Sequence, residues 1–357
     1  MKKMLYIMGI EWNWIFQRPQ ILALRLQEDY EVTVVCPKQL IKRGKEHGNQ
    51  PPRHLIELVQ IPFQEKVKVI GFFADKLHRH VLGSIYKYDL IWVGYPLYER
   101  YIPHDYQGMI IYDCMDNFEA LYPDRNPKAI SMVNASEGRL LQRADIVFAS
   151  SCKLKEKLCA IYPKKKIEVI RNGYSDITTR PPRPALKKDK YILSYIGTIS
   201  EWFDSDVIRA GLDDCKLISY NLIGPVSRHQ EIQNDKVIYR GPVEHRELGK
   251  WVEIADCLIM PFKVTEIVLY VDPVKLYEYI AWGKCIIASW YPEIERFQDY
   301  VYFYHDEREY LQLLSTLSEQ GFPAKYNEKQ QQEFLEKNTW EERIRAVKKA
   351  IDPTKGL

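Results

Sequence analysis

The 357-residue sequence predicts an α/β fold made of two parallel-sheet domains. Three observations carry that expectation. Strand-like apolar runs alternate with helix-like runs along the chain. The strand-like runs are apolar without strict alternation, as in strands covered on both faces. The pattern stops at "SDITTRPPRPALKKDK" (175–190), rich in Pro and basic residues, and then restarts, which places an interdomain linker there.

In the first half the strand runs are "MLYIMG" from Met4, "YEVTVVC" from Tyr30, "LIELVQI" from Leu55 and "DLIWVG" from Asp89. "GMIIYDC" from Gly108, "DIVFAS" from Asp145 and "IEVIRNG" from Ile167 follow. Helix-like stretches lie near 18–28, 68–86, 127–143 and 151–161. The second half reads "YILSYIGTI" from Tyr191, "CKLISYNLIG" from Cys215, "KVIYRG" from Lys236, "CLIMPF" from Cys257, "CIIAS" from Cys285 and "VYFYH" from Val301. Its helices fall near 204–212, 245–255, 273–282 and 307–319. The tail "EKQQQEFLEKNTWEERIRAVKKAI" reads as two helices, the second capped by Asn338 or Thr339. The expected divisions are 1–175, 190–325 and 326–357.

A hydrophobic content of 46% is that of a globular protein, and a net charge of +3 gives no argument for nucleic acid. Seven cysteines without a C-x-x-C pair suggest reduced, packed thiols in a cytoplasmic protein, not a disulfide framework or a zinc site. The start "MKKMLYIMGIEWNW" has an apolar run too short for a signal sequence and reads as a first strand. No uncharged apolar run approaches the roughly 18 residues of a membrane helix.

One stretch points to chemistry. In "YVDPVKLYEYIAWGK" (270–284), Asp272 and Pro273 suit a helix start and Gly283 a helix end. Lys275 and Glu278 share a face of that helix. The free N–H groups of a first turn favour an anion, and Lys275 adds a cation there. A phosphate at Lys275 with a ribose at Glu278 fits this order; so does a plain surface ion pair. Gly197 ends a strand, lets backbone approach a pyrophosphate, and is followed by the hydroxyl of Thr198; a simple turn reads equally well. Asp113 and Asp116 fall at the C-terminal end of another strand, where ligands bind in such sheets. Asp116 is the better candidate to take a proton from a hydroxyl, with helix capping as the other reading. Trp12, Trp14, Gln17 and Arg18, after the first strand, are candidates to line the same side, Arg18 toward a phosphate or an acidic sugar; packing of Trp14 and Phe16 against the sheet reads equally well. Arg171 precedes Asn172 and Gly173 at the domain junction, in reach of a donor. "DSD" at Asp204–Asp206 looks like a metal motif but opens a helix, so capping explains it more cheaply.

"PVKLYEYIAWGKCIIAS", "SYIGTISEWFD" and "YDCMDNFEAL" resemble segments of GT-B glycosyltransferases, in particular the family 4-like bacterial enzymes of capsule, exopolysaccharide and teichuronic acid assembly. "WNWIFQRPQILALRL", "RNGYS", "RGPVEHREL", "MPF" and "NTWEERI" extend the resemblance over nearly the whole chain. It implies two Rossmann-like domains facing a central cleft. The first would hold the acceptor and the second a nucleotide-sugar donor, with C-terminal helices returning to the first. It implies that Gly241, Pro242 and Val243 edge the nucleotide base. The family usually carries two glutamates, the first on the donor sugar and the second on the ribose. Glu278 matches the second; Tyr270 stands at the first, which leaves Tyr270, Val271 and Asp272, with Pro273 and Val274 following, as the replacement contact.

The function expected is transfer of a sugar, most naturally from a UDP donor, to a saccharide or lipid-linked saccharide, with no metal and no cofactor. The alternatives are a non-catalytic nucleotide-sugar-binding subunit and a GT-B epimerase. "FQEKVKVIGFFADKLHRHVLGSIYKY", basic and aromatic at near-helical spacing, suits contact with an anionic membrane or an ordinary packed helix.

Overall fold

A computed structural model describes residues 1–40, 50–64, 67–121, 127–174, 179–182, 184–227, 230–244 and 247–352. The chain divides into two compact units. One is Met1–Arg171 together with the C-terminal stretch from Arg343; the other is Asn172–Glu342.

The first unit is a seven-stranded sheet. Its strands are β1 (Lys2–Ile7), β2 (Tyr30–Gln39), β3 (His54–Gln60), β4 (Leu90–Val93), β5 (Met109–Cys114), β6 (Ile146–Ala149) and β7 (Ile167–Val169). They lie in the order β3-β2-β1-β4-β5-β6-β7, each pair parallel. Helices α1 (Arg18–Leu26), α2 (Lys68–Leu82), α3 (Pro127–Arg143) and α4 (Cys152–Ile161) connect them. The central strands read as unbroken apolar runs because both faces are covered. Tyr6, Trp92 and Phe148 pack ring to ring across β1, β4 and β6, with centroids 5.3 and 5.6 Å apart.

The second unit repeats the design with six parallel strands: β8 (Tyr191–Ile196), β9 (Ile218–Ile223), β10 (Val237–Gly241), β11 (Cys257–Met260), β12 (Cys285–Ser289) and β13 (Tyr302–Tyr304). The order is β10-β9-β8-β11-β12-β13. Its helices are α5 (Ser205–Asp214), α6 (Leu248–Ile254), α7 (Val274–Ala281), α8 (Glu307–Gln320) and α9 (Glu328–Lys337). The unit boundary falls within α10 (Trp340–Ile351). Thr339 caps α10 by accepting from the Glu342 N–H at 3.1 Å, while the Asn338 amide turns back to the Phe334 carbonyl at 2.7 Å. In the first unit, Lys348 of α10 pairs with Asp29 at 2.5 Å and Glu28 at 3.2 Å.

Two boundaries differ from the sequence reading. Helix α9 lies in the second unit, because Phe334 packs on Tyr277, Phe297 and Tyr300. Arg180, in the basic, Pro-rich stretch, also packs there: it donates its N–H to the Ala281 carbonyl at 2.9 Å and accepts from Gln331 at 2.8 Å. The thiols differ as well. Cys36, Cys114, Cys257 and Cys285 are buried and none of the seven forms a disulfide, but Cys152 is exposed. No helix among the described residues is long and apolar enough to cross a membrane.

Candidate active site

In the second unit the strand order reverses between β8 and β11, and ligands of open α/β sheets bind at the C-terminal strand ends beside such a reversal. Three strands end there in glycines with left-handed backbone: Gly197 after β8 (φ 154°), Gly224 after β9 (φ 142°) and Gly241 closing β10 (φ 66°). Gly197 donates its N–H to the Ile223 carbonyl at 2.8 Å, and Gly224 donates to the Gly241 carbonyl at 2.9 Å. A Cβ on Gly224 would lie 2.0 Å from the Gly197 carbonyl oxygen, so these backbones touch. From sequence, Gly224 with Pro225 reads as a turn that ends a strand. The Gly-Pro pair directly after a strand was the available signal.

Helix α7 starts at this edge. Pro273 is its N-cap residue (ψ 113°) and makes no side-chain cap, so the expected cap by Asp272 is not formed. Val274 and Lys275 occupy the first turn, whose N–H groups point out of the helix. Lys275 bends back over Gly197: a Cβ there would lie 2.3 Å from Lys275 Cε and 3.0 Å from Nζ. Among the described residues its ammonium has neither a hydrogen bond nor an ion pair. Burial pushes its pKa down, against the opposing pull of Glu278. Lys284, in the same stretch, is a contrast. It is buried, and its ammonium donates to the carbonyls of Ala255 and of Glu253 (3.2 Å) at the end of α6.

The Asp272 carboxylate is buried and fully engaged. It accepts from the Asn172 N–H at 2.6 Å, from the Tyr277 hydroxyl at 3.0 and 3.1 Å, and from Arg296. Its carbonyl accepts from the Asn172 amide at 2.7 Å. The side chain expected to contact a donor therefore fixes the start of α7 instead. Arg296 and Asn172 were missed because they lie far from Asp272 in sequence. Val271 is also committed through its backbone, accepting from Tyr291 at 3.1 Å. Tyr270, Thr198 and Val243 are half-buried, and Glu278 lies one turn along α7 from Lys275.

In the first unit, Arg18 and Asp113 form a buried two-pronged pair, Nε–Oδ2 3.0 Å and Nη2–Oδ1 2.7 Å. Arg18 also donates to the Ile170 carbonyl at 2.6 Å and to that of Arg171 at 3.4 Å. This corrects the expectation that Arg18 meets a phosphate and that Asp113 faces an acceptor: each satisfies the other, and both are inaccessible. Asp116 differs. It is half-buried, and its carboxyl has no hydrogen bond among the described residues. Burial raises its pKa to about 7, with Arg18 pulling down and Asp113 pushing up. Trp12 is buried and donates to the Gln50 carbonyl at 3.1 Å, so it does not line a site. Trp14 is 42% exposed. Gln17 is the N-cap residue of α1, its N–H bonded to Gln20 at 3.3 Å. Arg171 donates to Cys152 Sγ at 2.9 Å.

Asp204 caps α5 by accepting from the Asp206 N–H at 3.1 Å, and Asp206 pairs with Arg209 and Lys263 at 2.8 and 3.2 Å, so the "DSD" motif is a helix start. No group of three His, Cys, Asp or Glu among the described residues has metal-site geometry. His245 lies outside the described residues.

Two parallel Rossmann-like sheets in these strand orders make the GT-B fold, and solved structures agree. Sucrose-phosphate synthase from Thermosynechococcus elongatus superposes with a TM-score of 0.72 at 13% identity, covering 99% of both chains. Anabaena HepE, in complex with UDP and glucose, gives 0.69 at 11% identity over 98% of this chain and 99% of its own. The resemblance read from the sequence is met by a curated relative too. A putative teichuronic acid biosynthesis glycosyltransferase, TuaH of Bacillus subtilis (strain 168), is 27% identical over 312 residues, 78% of this chain and 77% of the relative. No family model matches the chain.

Proposed function

We propose that this protein is a glycosyltransferase that moves a sugar from a nucleoside diphosphate, UDP in the first instance, onto a saccharide or lipid-linked saccharide of a bacterial surface polysaccharide. The observation that carries the reading is Lys275, an uncommitted ammonium held over glycine backbone at the start of α7. Glycosidic cleavage leaves negative charge on the departing diphosphate, and a prepositioned cation beside helix N–H groups stabilises it. Lys275, the first turn at Val274 and the backbone at Gly197 and Thr198 hold the diphosphate. Glu278 accepts from the ribose hydroxyls, and Gly241 and Val243 flank the base. Tyr270, with the Val271 backbone, takes the position on the sugar side. Asp116 is the base for the acceptor hydroxyl, since a carboxyl with a pKa near 7 holds a proton as readily as it releases one. With Lys275 and α7 supplying positive charge, the reaction needs no metal and no cofactor beyond its nucleotide-sugar substrate. The UDP and UDP-glucose complexes of Anabaena HepE and the teichuronic acid name of the curated relative support the donor class and the pathway. Work on a lipid-linked acceptor places the enzyme at the cytoplasmic face of the plasma membrane.

The test is a thermal-shift series with UDP-glucose, UDP-galactose, UDP-glucuronate and GDP-mannose, followed by UDP release with and without a lipid-linked acceptor. A true donor at about 100 times its Kd stabilises the fold by roughly 2.7 kcal/mol. Acceptor-dependent UDP release is the expected result. Donor binding without release would leave a binding subunit, and acceptor-independent turnover an epimerase or hydrolase.

A further inference from the structure

Helix α2 is held to the first unit by one narrow face. Ala74, His78 and Leu82, spaced four apart, are its buried residues. His78 bonds to the Tyr101 hydroxyl and the Val59 carbonyl, both at 2.8 Å, and Asp75 lies 3.6 Å from Arg100 on the same side. The opposite face is apolar and bare: Val69 is 65% exposed, Phe72 65% and Phe73 62%. Phe63, in the turn leading to the helix, is equally exposed and has left-handed backbone (φ 65°), a conformation unfavourable for a bulky side chain. Interleaved with these rings on the outer face are Lys68, Lys76 and His80, all exposed. The one acidic residue of α2 is the inward Asp75. Neither Lys68 nor Lys76 has an acidic partner within ion-pair distance among the described residues.

We propose that this outer face of α2, with Phe63, docks onto an anionic lipid bilayer, its rings at the headgroup–acyl boundary and its lysines among lipid phosphates. Charge selects the occupant. A protein partner covering Phe72 and Phe73 would also have to bury or pair the adjacent lysines, whereas at a bilayer lysines extend to the headgroups while the rings stay below. A second copy of the chain would bring the same cationic face against this one. Docking does not depend on the sugar-transfer reading, and its failure would leave that reading standing.

The experiment is flotation of the full chain with phosphatidylcholine vesicles containing or lacking phosphatidylglycerol. Wild type should float with the anionic vesicles and remain behind with neutral ones. Lys68→Gln with Lys76→Gln should weaken binding about thirtyfold. Phe72→Ser with Phe73→Ser should abolish it while leaving the melting temperature and UDP-sugar thermal shifts unchanged, because these side chains support no core. Equal binding to both vesicle types, or binding that survives the Phe double variant, would overturn the proposal. So would a concentration-dependent dimer that the Phe double variant dissolves.

Discussion

Replacing Lys275 by Met separates a binding lysine from a structural one. The ammonium sits half-buried against Gly197, and the fold already depresses its pKa, so its charge disfavours the native state. That penalty is fully present below the depressed folded-state pKa and fades as pH rises through it, since the unfolded chain then binds more protons than the native one. Met keeps the length and apolar stem and removes the charge. Lys275→Met should therefore melt at the same temperature as wild type or higher at pH 7. The effect on function has the opposite sign. A cation about 4 Å from a phosphate charge, at an effective dielectric constant of about 20, interacts by roughly 4 kcal/mol. Loss of one such group at a developing anion costs about a hundredfold to a thousandfold in turnover. Calorimetric unfolding and initial-rate UDP release read the two effects independently. Wild-type turnover would refute a diphosphate role for Lys275. A large drop in melting temperature alongside lost activity would make it a structural residue like Lys284.

Asp116 has a folded pKa of about 7 against an ordinary 3.8, so its stabilising contribution is present below about pH 4 and is lost as pH rises through 7. As the acceptor's base it gives kcat/KM the reverse trend, rising to a plateau above pH 7. Asp116→Asn should flatten the stability slope and abolish turnover, read by melts and rates from pH 5 to 9. Arg18→Met leaves Asp113 buried and unpaired, and should cost about 3–5 kcal/mol in urea unfolding. Because Arg18 holds the Asp116 pKa down, any surviving activity should titrate at higher pH than wild type. Gly224→Ala drives a Cβ to 2.0 Å from a backbone oxygen and should prevent a stable second unit. Gly241→Ala meets nothing within 4 Å and should cost only about 1 kcal/mol for its left-handed backbone, as chemical denaturation of each variant would show.

The thirteen strands of the described residues were legible because strands covered on both faces favour continuous apolar sequence, a local property. The partners of polar groups are not local. Asp113, at the end of β5, and Asp116, in the loop just after it, are the same residue type three positions apart, yet Asp113 is engaged by an arginine 95 residues away while Asp116 keeps its carboxyl free of hydrogen bonds among the described residues. Lys275 and Lys284 divide in the same way. Lys284 reaches the carbonyls that end α6, and Lys275 reaches a glycine that offers its ammonium no acceptor. In each pair the residue that finds a strong tertiary partner becomes structural, and the one left without it is the one available for the proposed chemistry. A sequence motif can therefore nominate the stretch that bears a site, but the choice within it is made by which neighbours the fold supplies. Asp272 illustrates the cost of ignoring this. It is the most conspicuous carboxylate of its stretch, and it is removed from the candidate site by Asn172, Tyr277 and Arg296, of which only Tyr277 is near enough in sequence to have been suspected.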